Sequence, residues 1–89
     1  MTSLDLIRDL LTYTRNATAD LDVRGVRRYL SRLYTLVSDE GLEIDPEGDA
    51  LYAIEQAQET VLMIDDGSSP EWDEIPDAID EIEDEIDWD

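Results

Sequence analysis

The sequence predicts an all-α fold, in which a small three-helix bundle is followed by an acidic amphipathic helix at the C-terminus. Apolar residues recur at intervals of three and four over four segments, which is the spacing of one helix face. The 89 residues suit a small domain, and the absence of Cys means that no disulfide stabilises it. We place the bundle at residues 1–66, a linker at 67–70 and the acidic helix at 71–89.

The first predicted helix begins at Ser3, and its apolar side chains occupy one half of its surface. A break over residues 18–21 separates it from the second helix, which begins near Asp22 and ends before Gly41. The apolar stripe of this second helix consists of Val26, Leu30, Leu33 and Val37. Both helices therefore have one face suited to burial in a bundle.

Asp45 and Pro46 mark the start of the third helix, as an N-cap followed by proline in the first turn. Its main apolar stripe consists of Ala50, Ile54, Ala57, Val61 and Ile64. Tyr52 and Met63 lie off this stripe, on a second face. Because a helix with two apolar faces is central in a bundle or touches a partner, we predict that Tyr52 and Met63 contribute to a protein interaction.

The fourth helix is predicted to begin at Pro76 and to carry a regular apolar stripe within a very acidic segment. Like charges four residues apart oppose this helix by roughly 1–2 kcal/mol in total, whereas burial of each isoleucine contributes about 1.5–3 kcal/mol. The helix should therefore form when it has a surface to bury against. The predicted interaction residues of this segment are Trp72, Ile75, Ile79, Ile82, Ile86 and Trp88.

Two arrangements of this acidic helix remain open from the sequence. It folds back as the fourth helix of its own bundle, or it docks on another subunit or a partner protein. Trp88 lies off the isoleucine stripe, so folding back on its own would leave a large aromatic side chain exposed. We take that position as favouring a partner.

The charge distribution is very uneven. All six basic residues are arginines within the first 32 positions, and the net charge of the chain is −19. Such a charge repels itself in dilute buffer, and molar salt screens the repulsion. An acidic C-terminal tail would not explain why the N-terminal part, which carries all the arginines, contains no Lys. We therefore predict a protein of a halophilic archaeon or of a virus that infects one. We expect it in the cytoplasm or in a virion, without a membrane segment.

Enzymatic chemistry has little support in the composition. The chain has no His, Cys or Lys, so the usual general bases and nucleophiles are missing, and we expect neither an enzyme nor a cofactor. Asp45, Glu47 and Asp49 alternate as calcium ligands do, but the twelfth position of such a loop is Gln56, where an EF-hand has glutamate. We therefore predict no metal site.

The second helix carries arginines on its polar face. Arg24, Arg28 and Arg32 repeat every four residues, with Arg27 at the boundary of this face. They could be solvated or paired with acids of the chain, which is the interpretation we favour, or contact an acidic partner or nucleic acid. The large negative net charge disfavours nucleic acid as a partner.

The function that these observations predict is that of a non-enzymatic interaction, adaptor or assembly module that binds a protein partner or itself. One alternative is a helix-turn-helix-like DNA-binding regulator that uses the arginine face of the second helix. Another is an inhibitor in which the acidic tail imitates a nucleic-acid backbone.

Overall fold

The computed structural model describes residues 3–67 and 72–88, and these residues form helices without any strand. The helices are α1 (Ser3–Ala19), α2 (Val23–Glu40), α3 (Asp49–Asp65) and α4 (Glu74–Glu85), with a short 3-10 helix at Gly41–Glu43 after α2. The prediction of an all-α fold is confirmed. Of the predicted linker, residues 68–70 lie outside the described residues, as do residues 1, 2, 71 and 89.

The four helices pack in a ring, in which α4 contacts both α3 and α1. Successive helices run antiparallel, as shown by ring contact between Tyr13 and Tyr29 and by the pair of Arg27 with Asp65. Within the described residues, no Cα atom of α2 lies within 8 Å of a Cα atom of α4, so these two helices are diagonal in the ring. The structure therefore does not confirm a three-helix bundle with a separate acidic helix, because α4 is packed as the fourth member.

All four helices contribute to one hydrophobic core. The buried face of α3 includes three alanines, and the neighbouring helix α4 buries three isoleucines. The buried apolar residues are Ile7, Leu10, Leu11, Ala17, Val26, Leu30, Leu33, Val37, Ile44, Ala50, Ala53, Ile54, Ala57, Val61, Ile75, Ile79, Ile82 and Ile86. No helix in the described part of the chain combines the length and hydropathy that a membrane crossing requires.

The turn between α1 and α2 is tighter than predicted, because α1 continues to Ala19. Leu21 adopts the left-handed conformation, with a φ of 58°, and the Asp22 carboxylate accepts a hydrogen bond from the Gly25 N–H at 3.1 Å. A Cβ atom at Gly25 would lie 2.5 Å from the Asp22 carboxylate and 3.3 Å from the Ala17 Cβ. Glycine therefore allows the cap and the close approach of the two helices.

The start of α3 differs from the prediction. The helix begins at Asp49 rather than at Pro46, because Gly48 turns the chain with a φ of 78° just before it. Asp45 nevertheless caps α3, since its buried carboxylate accepts hydrogen bonds from the Ala50 N–H at 3.0 Å and the Leu51 N–H at 3.1 Å. Asp45 thus satisfies two backbone donors from inside the preceding loop.

The start of α4 also differs, since the helix begins at Glu74, two residues before Pro76. Proline is tolerated there because N–H groups in the first turn have no acceptor within the helix. At the other end, the Asp87 N–H donates to the carbonyl of Ile44 at 2.8 Å. This hydrogen bond connects the residues that follow α4 to the loop that precedes α3.

Replacement of Asp45 by alanine should lower the free energy of unfolding by about 1–2 kcal/mol, because the Ala50 and Leu51 N–H groups lose their acceptor. Chemical denaturation followed by circular dichroism at pH 7 measures the change. Asp45→Asn keeps an acceptor for one of the two N–H groups and should lose about half as much. Equal losses in the two variants would assign the effect to the charge and contradict the cap.

Candidate functional site

The apolar stripe of α4 lies in the core of its own chain. Ile75, Ile79 and Ile82 have no exposed surface, and Ile86 is 4% exposed. Trp72, just before the helix, is half-buried beside the α1–α2 turn. The structure therefore brings these predicted interaction residues together against α3 and α1, and a partner would reach the isoleucines only if α4 left the bundle.

Trp88 is half-buried rather than exposed on the polar side of a helix. The chain becomes extended at Ile86, with a ψ of 135°, so Trp88 does not continue the helical path that the sequence prediction assumed. Its Nε1–H donates to the carbonyl of Glu83 at 2.8 Å. The guanidinium carbon of Arg8 lies 4.9 Å from the ring centroid, which is a cation–π contact with α1.

A second arginine of α1 also binds the acidic helix. Nη2 of Arg15 donates to Oδ1 of Asp80 at 2.6 Å and to Oε2 of Glu83 at 2.7 Å. These hydrogen bonds, first that of Glu83 and then that of Asp80, raise the pKa of Arg15 above its ordinary value. One guanidinium thus bridges two carboxylates that are three residues apart on α4, and it offsets part of the repulsion within that helix.

A cluster of carboxylates forms where the start of α3 meets the end of α4. Oxygens of Glu47, Asp49 and Glu85 all lie within 4.8 Å of one another. Partial burial of the Glu85 carboxyl, together with the charge and hydrogen bond of Asp49 and the charges of Glu47 and Glu81, raises the pKa of Glu85. Exposed carboxylates gather in this way in many proteins, so the cluster alone does not assign a metal.

This cluster was not predicted from the sequence. The sequence groups Glu47 and Asp49 with Asp45, whose carboxylate is instead buried under α3 as a cap. The third carboxylate of the cluster is that of Glu85, which the antiparallel packing of α3 and α4 brings beside Glu47 and Asp49. Local sequence spacing does not reveal this contact.

Tyr52 and Met63 are exposed on α3, 60% and 44% respectively. They share a helix face, but 11 residues separate them, which is about 16 Å along the helix axis. The exposed polar residues Gln56 and Glu59 lie between them on this face. The two side chains are therefore separate apolar points rather than one continuous patch.

The polar face of α2 holds the arginines that the fold does not use. Arg24, Arg28 and Arg32, which we call the Arg stripe, are exposed and make no hydrogen bond or ion pair within the part of the chain that the structure describes. Arg27 instead pairs with Asp65 of α3 at 3.2 Å. The arginines at positions 8, 15 and 27 hold helices together, and those of the Arg stripe face solvent.

Two shallow grooves flank the Arg stripe. The first, of about 530 Å³, lies between α2 and α3 and is lined by Arg27, Arg28, Ser31, Gln58 and Leu62. The second, of about 450 Å³, continues along α2 and is lined by Arg28, Ser31, Arg32, Thr35 and Leu36. Both combine guanidinium groups with hydroxyl and leucine side chains, so this face offers polar and apolar contacts to the same partner.

No known protein family, curated protein or solved structure matches this chain. The function is therefore inferred from the surfaces described above.

Replacement of Glu85 by glutamine should stabilise the protein at pH 7. The pKa of Glu85 is raised above its ordinary value of 4.5, so between pH 4.5 and the raised pKa the folded state binds more protons at this residue than the unfolded state does. The free energy of unfolding therefore falls as pH rises through this interval. Denaturation in low salt at pH 7 should show the variant to be the more stable, and the difference should vanish at pH 3.5. Glu59→Gln, at an exposed position of α3, is the control. Parallel curves for parent and Glu85→Gln across this range would contradict the assignment.

Proposed function

We propose that this chain is a non-enzymatic protein–protein interaction module, an adaptor or assembly element, and that its binding surface is the Arg stripe of α2. The observation that carries the proposal is the different use of the arginines. In a chain with 25 acidic residues, Arg24, Arg28 and Arg32 have no carboxylate partner among the described residues. Because folding does not use these charges, they are available to a partner.

Arg15 provides an example of what such an arginine binds. Its guanidinium contacts Asp80 and Glu83, which are three residues apart on one helix face, at 2.6 and 2.7 Å. The three guanidiniums of the Arg stripe repeat every four residues, so they can meet carboxylates repeated at helical spacing in the same manner. The partner that fits the Arg stripe is therefore an acidic helix.

We place the interaction surface on α2, whereas the sequence placed it on the C-terminal acidic helix and on Tyr52 and Met63. The stripe of Ile75, Ile79, Ile82 and Ile86 supports the bundle in the structure, and Trp72 and Trp88 are half-buried with it. Tyr52 and Met63 are exposed, and we keep them as secondary contacts of an assembly.

The composition supports adaptation to high salt as part of the same proposal. The 25 acidic residues and the use of arginine as the only basic residue suit a cytoplasm, or a virus particle, in a molar-salt environment. Contacts between a guanidinium and two carboxylates at close range retain more of their strength under screening than separated surface charges do.

Nucleic acid is the second candidate partner, because exposed arginines also suit phosphate groups. The net charge of −19 opposes approach to a polyanion, and the neighbouring residues Ser31 and Thr35 offer little that could read base edges. We therefore favour an acidic protein surface and use DNA as a competing probe.

The Arg stripe should bind a synthetic 20-residue alanine-rich helix that carries glutamate at every fourth position. Fluorescence anisotropy with the labelled peptide in 0.3 M KCl measures the affinity. Replacing Arg24, Arg28 and Arg32 together by glutamine should weaken binding roughly tenfold, since each exposed ion pair contributes about 0.2–1 kcal/mol.

A control variant with the same change of net charge places glutamate at the exposed positions Asn16, Ser38 and Gln56. It should keep most of the affinity. Binding of a 20-base-pair DNA duplex without binding of the peptide would overturn the proposal in favour of a DNA-binding regulator. Failure of the parent chain to bind either probe would overturn both candidates.

A further inference from the structure

The outer face of α4 carries a row of carboxylates that the fold does not use. Asp73, Asp77, Glu81 and Asp84, which we call the acid stripe, are exposed on the side of α4 opposite its buried isoleucines. Within the described residues, none of them makes a hydrogen bond or an ion pair. The described part of the chain therefore displays a row of arginines on α2 and a row of carboxylates along α4, and neither row is used in an ion pair.

The two stripes occupy equivalent positions on their helices. The buried residues Val26, Leu30, Leu33 and Val37 of α2 step by 4, 3 and 4, and Ile75, Ile79, Ile82 and Ile86 of the α4 segment do the same. Relative to these buried residues, Arg24, Arg28 and Arg32 correspond to Asp73, Asp77 and Glu81. Over these three pairs each row covers about 12 Å of helix axis, so the paired charges match in spacing and length, and Asp84 extends the acid stripe beyond them.

The bundle places the stripes on opposite sides at the same level. Because α2 and α4 are diagonal, their outer faces point away from each other, and both helices run in the same direction. Both also begin at the same end of the molecule, since Trp72 and Asp73 line a groove with Thr18 and Leu21 of the α1–α2 turn. One chain cannot bring its two stripes together, whereas a neighbour displaced sideways presents its acid stripe directly to the Arg stripe.

We propose that the occupant of the Arg stripe is the acid stripe of a second copy of this chain. The inference rests on the proposed function and names its partner. The contact is head-to-tail, so a pair of copies keeps one unused Arg stripe and one unused acid stripe at its two outer sides. Repetition of the same displacement produces a filament, or a ring if a small rotation accompanies each step.

Salt allows this association despite the net charge of −19 on every copy. The bundle is 18–24 Å across its shorter axes, whereas the Debye length is about 10 Å at 0.1 M salt. As the salt concentration rises, the repulsion between distant acids of two copies is therefore screened first. The attraction between the two stripes, which are in contact, is lost only at higher salt. Association should be weakest in salt-free buffer and should appear as KCl is added.

Two charge-reversal variants, which change the net charge in opposite directions, test this interface separately from general repulsion. One variant replaces Arg24, Arg28 and Arg32 by glutamate, and the other replaces the matching residues Asp73, Asp77 and Glu81 by arginine. Light scattering coupled to size exclusion, at 0.3 M and 3 M KCl, should show the parent as an oligomer and each variant as a monomer. The second variant is less negative than the parent. If general repulsion alone controlled association, this variant would associate more strongly than the parent.

The variants should restore association when they are brought together. In an equimolar mixture of the two variants, every reversed stripe meets a stripe of opposite charge, so the mixture should form oligomers. A single chain with all six substitutions again carries one stripe of each charge and has the parent's net charge, so it should also form oligomers. Circular dichroism of every variant confirms that the helices are retained.

The results separate this inference from the proposed function. A parent that is monomeric at both salt concentrations, or oligomers that persist in both single-stripe variants, would overturn the inference. If that monomer still bound the acidic peptide through its Arg stripe, the proposed function would stand and only the identity of the partner would be wrong.

Discussion

Burial of the isoleucines of α4 is the interaction that allows so acidic a chain to close into a bundle. Ile75, Ile79 and Ile82 are completely buried, and each contributes about 1.5–3 kcal/mol, which exceeds the roughly 1–2 kcal/mol of repulsion within the helix. Arg15 reduces that repulsion by binding Asp80 and Glu83. With α4 in place, the apolar surface of the segment is covered, and the charged faces of α2 and α4 become the distinctive outer surfaces.

The use of the arginines follows from this packing. Two arginines of α1 hold α4, through Trp88 and through Asp80 and Glu83, and Arg27 joins α2 to α3. The Arg stripe is exposed on the polar face of α2, and none of the described helices pairs with it. The fold thus separates structural arginines from those that a partner can bind, and this separation is the basis of both proposals.

Local patterns predicted much of the fold, and long-range contacts account for what they missed. The spacing of Val26, Leu30 and Leu33 and of the α4 isoleucines identified the buried faces, because one helix face repeats every three to four residues. The start of α3 was misplaced because Asp45 caps from a loop that Gly48 turns. The partners of Arg15 and Glu85 depend on which helices become neighbours, and the sequence left open whether α4 joins the bundle. Likewise, only the folded structure shows that the Arg stripe forms no ion pair with the acids of residues 3–67 and 72–88.

Native-state hydrogen exchange of the intact chain tests most directly whether α4 belongs to the cooperative core. At 0.3 M KCl the amides of Ile79 and Ile82 should be as strongly protected as those of Leu30 and Leu33 in α2, since all four lie in one buried cluster. Exchange of the α4 amides at nearly unprotected rates, with α2 still protected, would contradict this account. The acidic helix would then be a separable segment whose isoleucines are available to a partner.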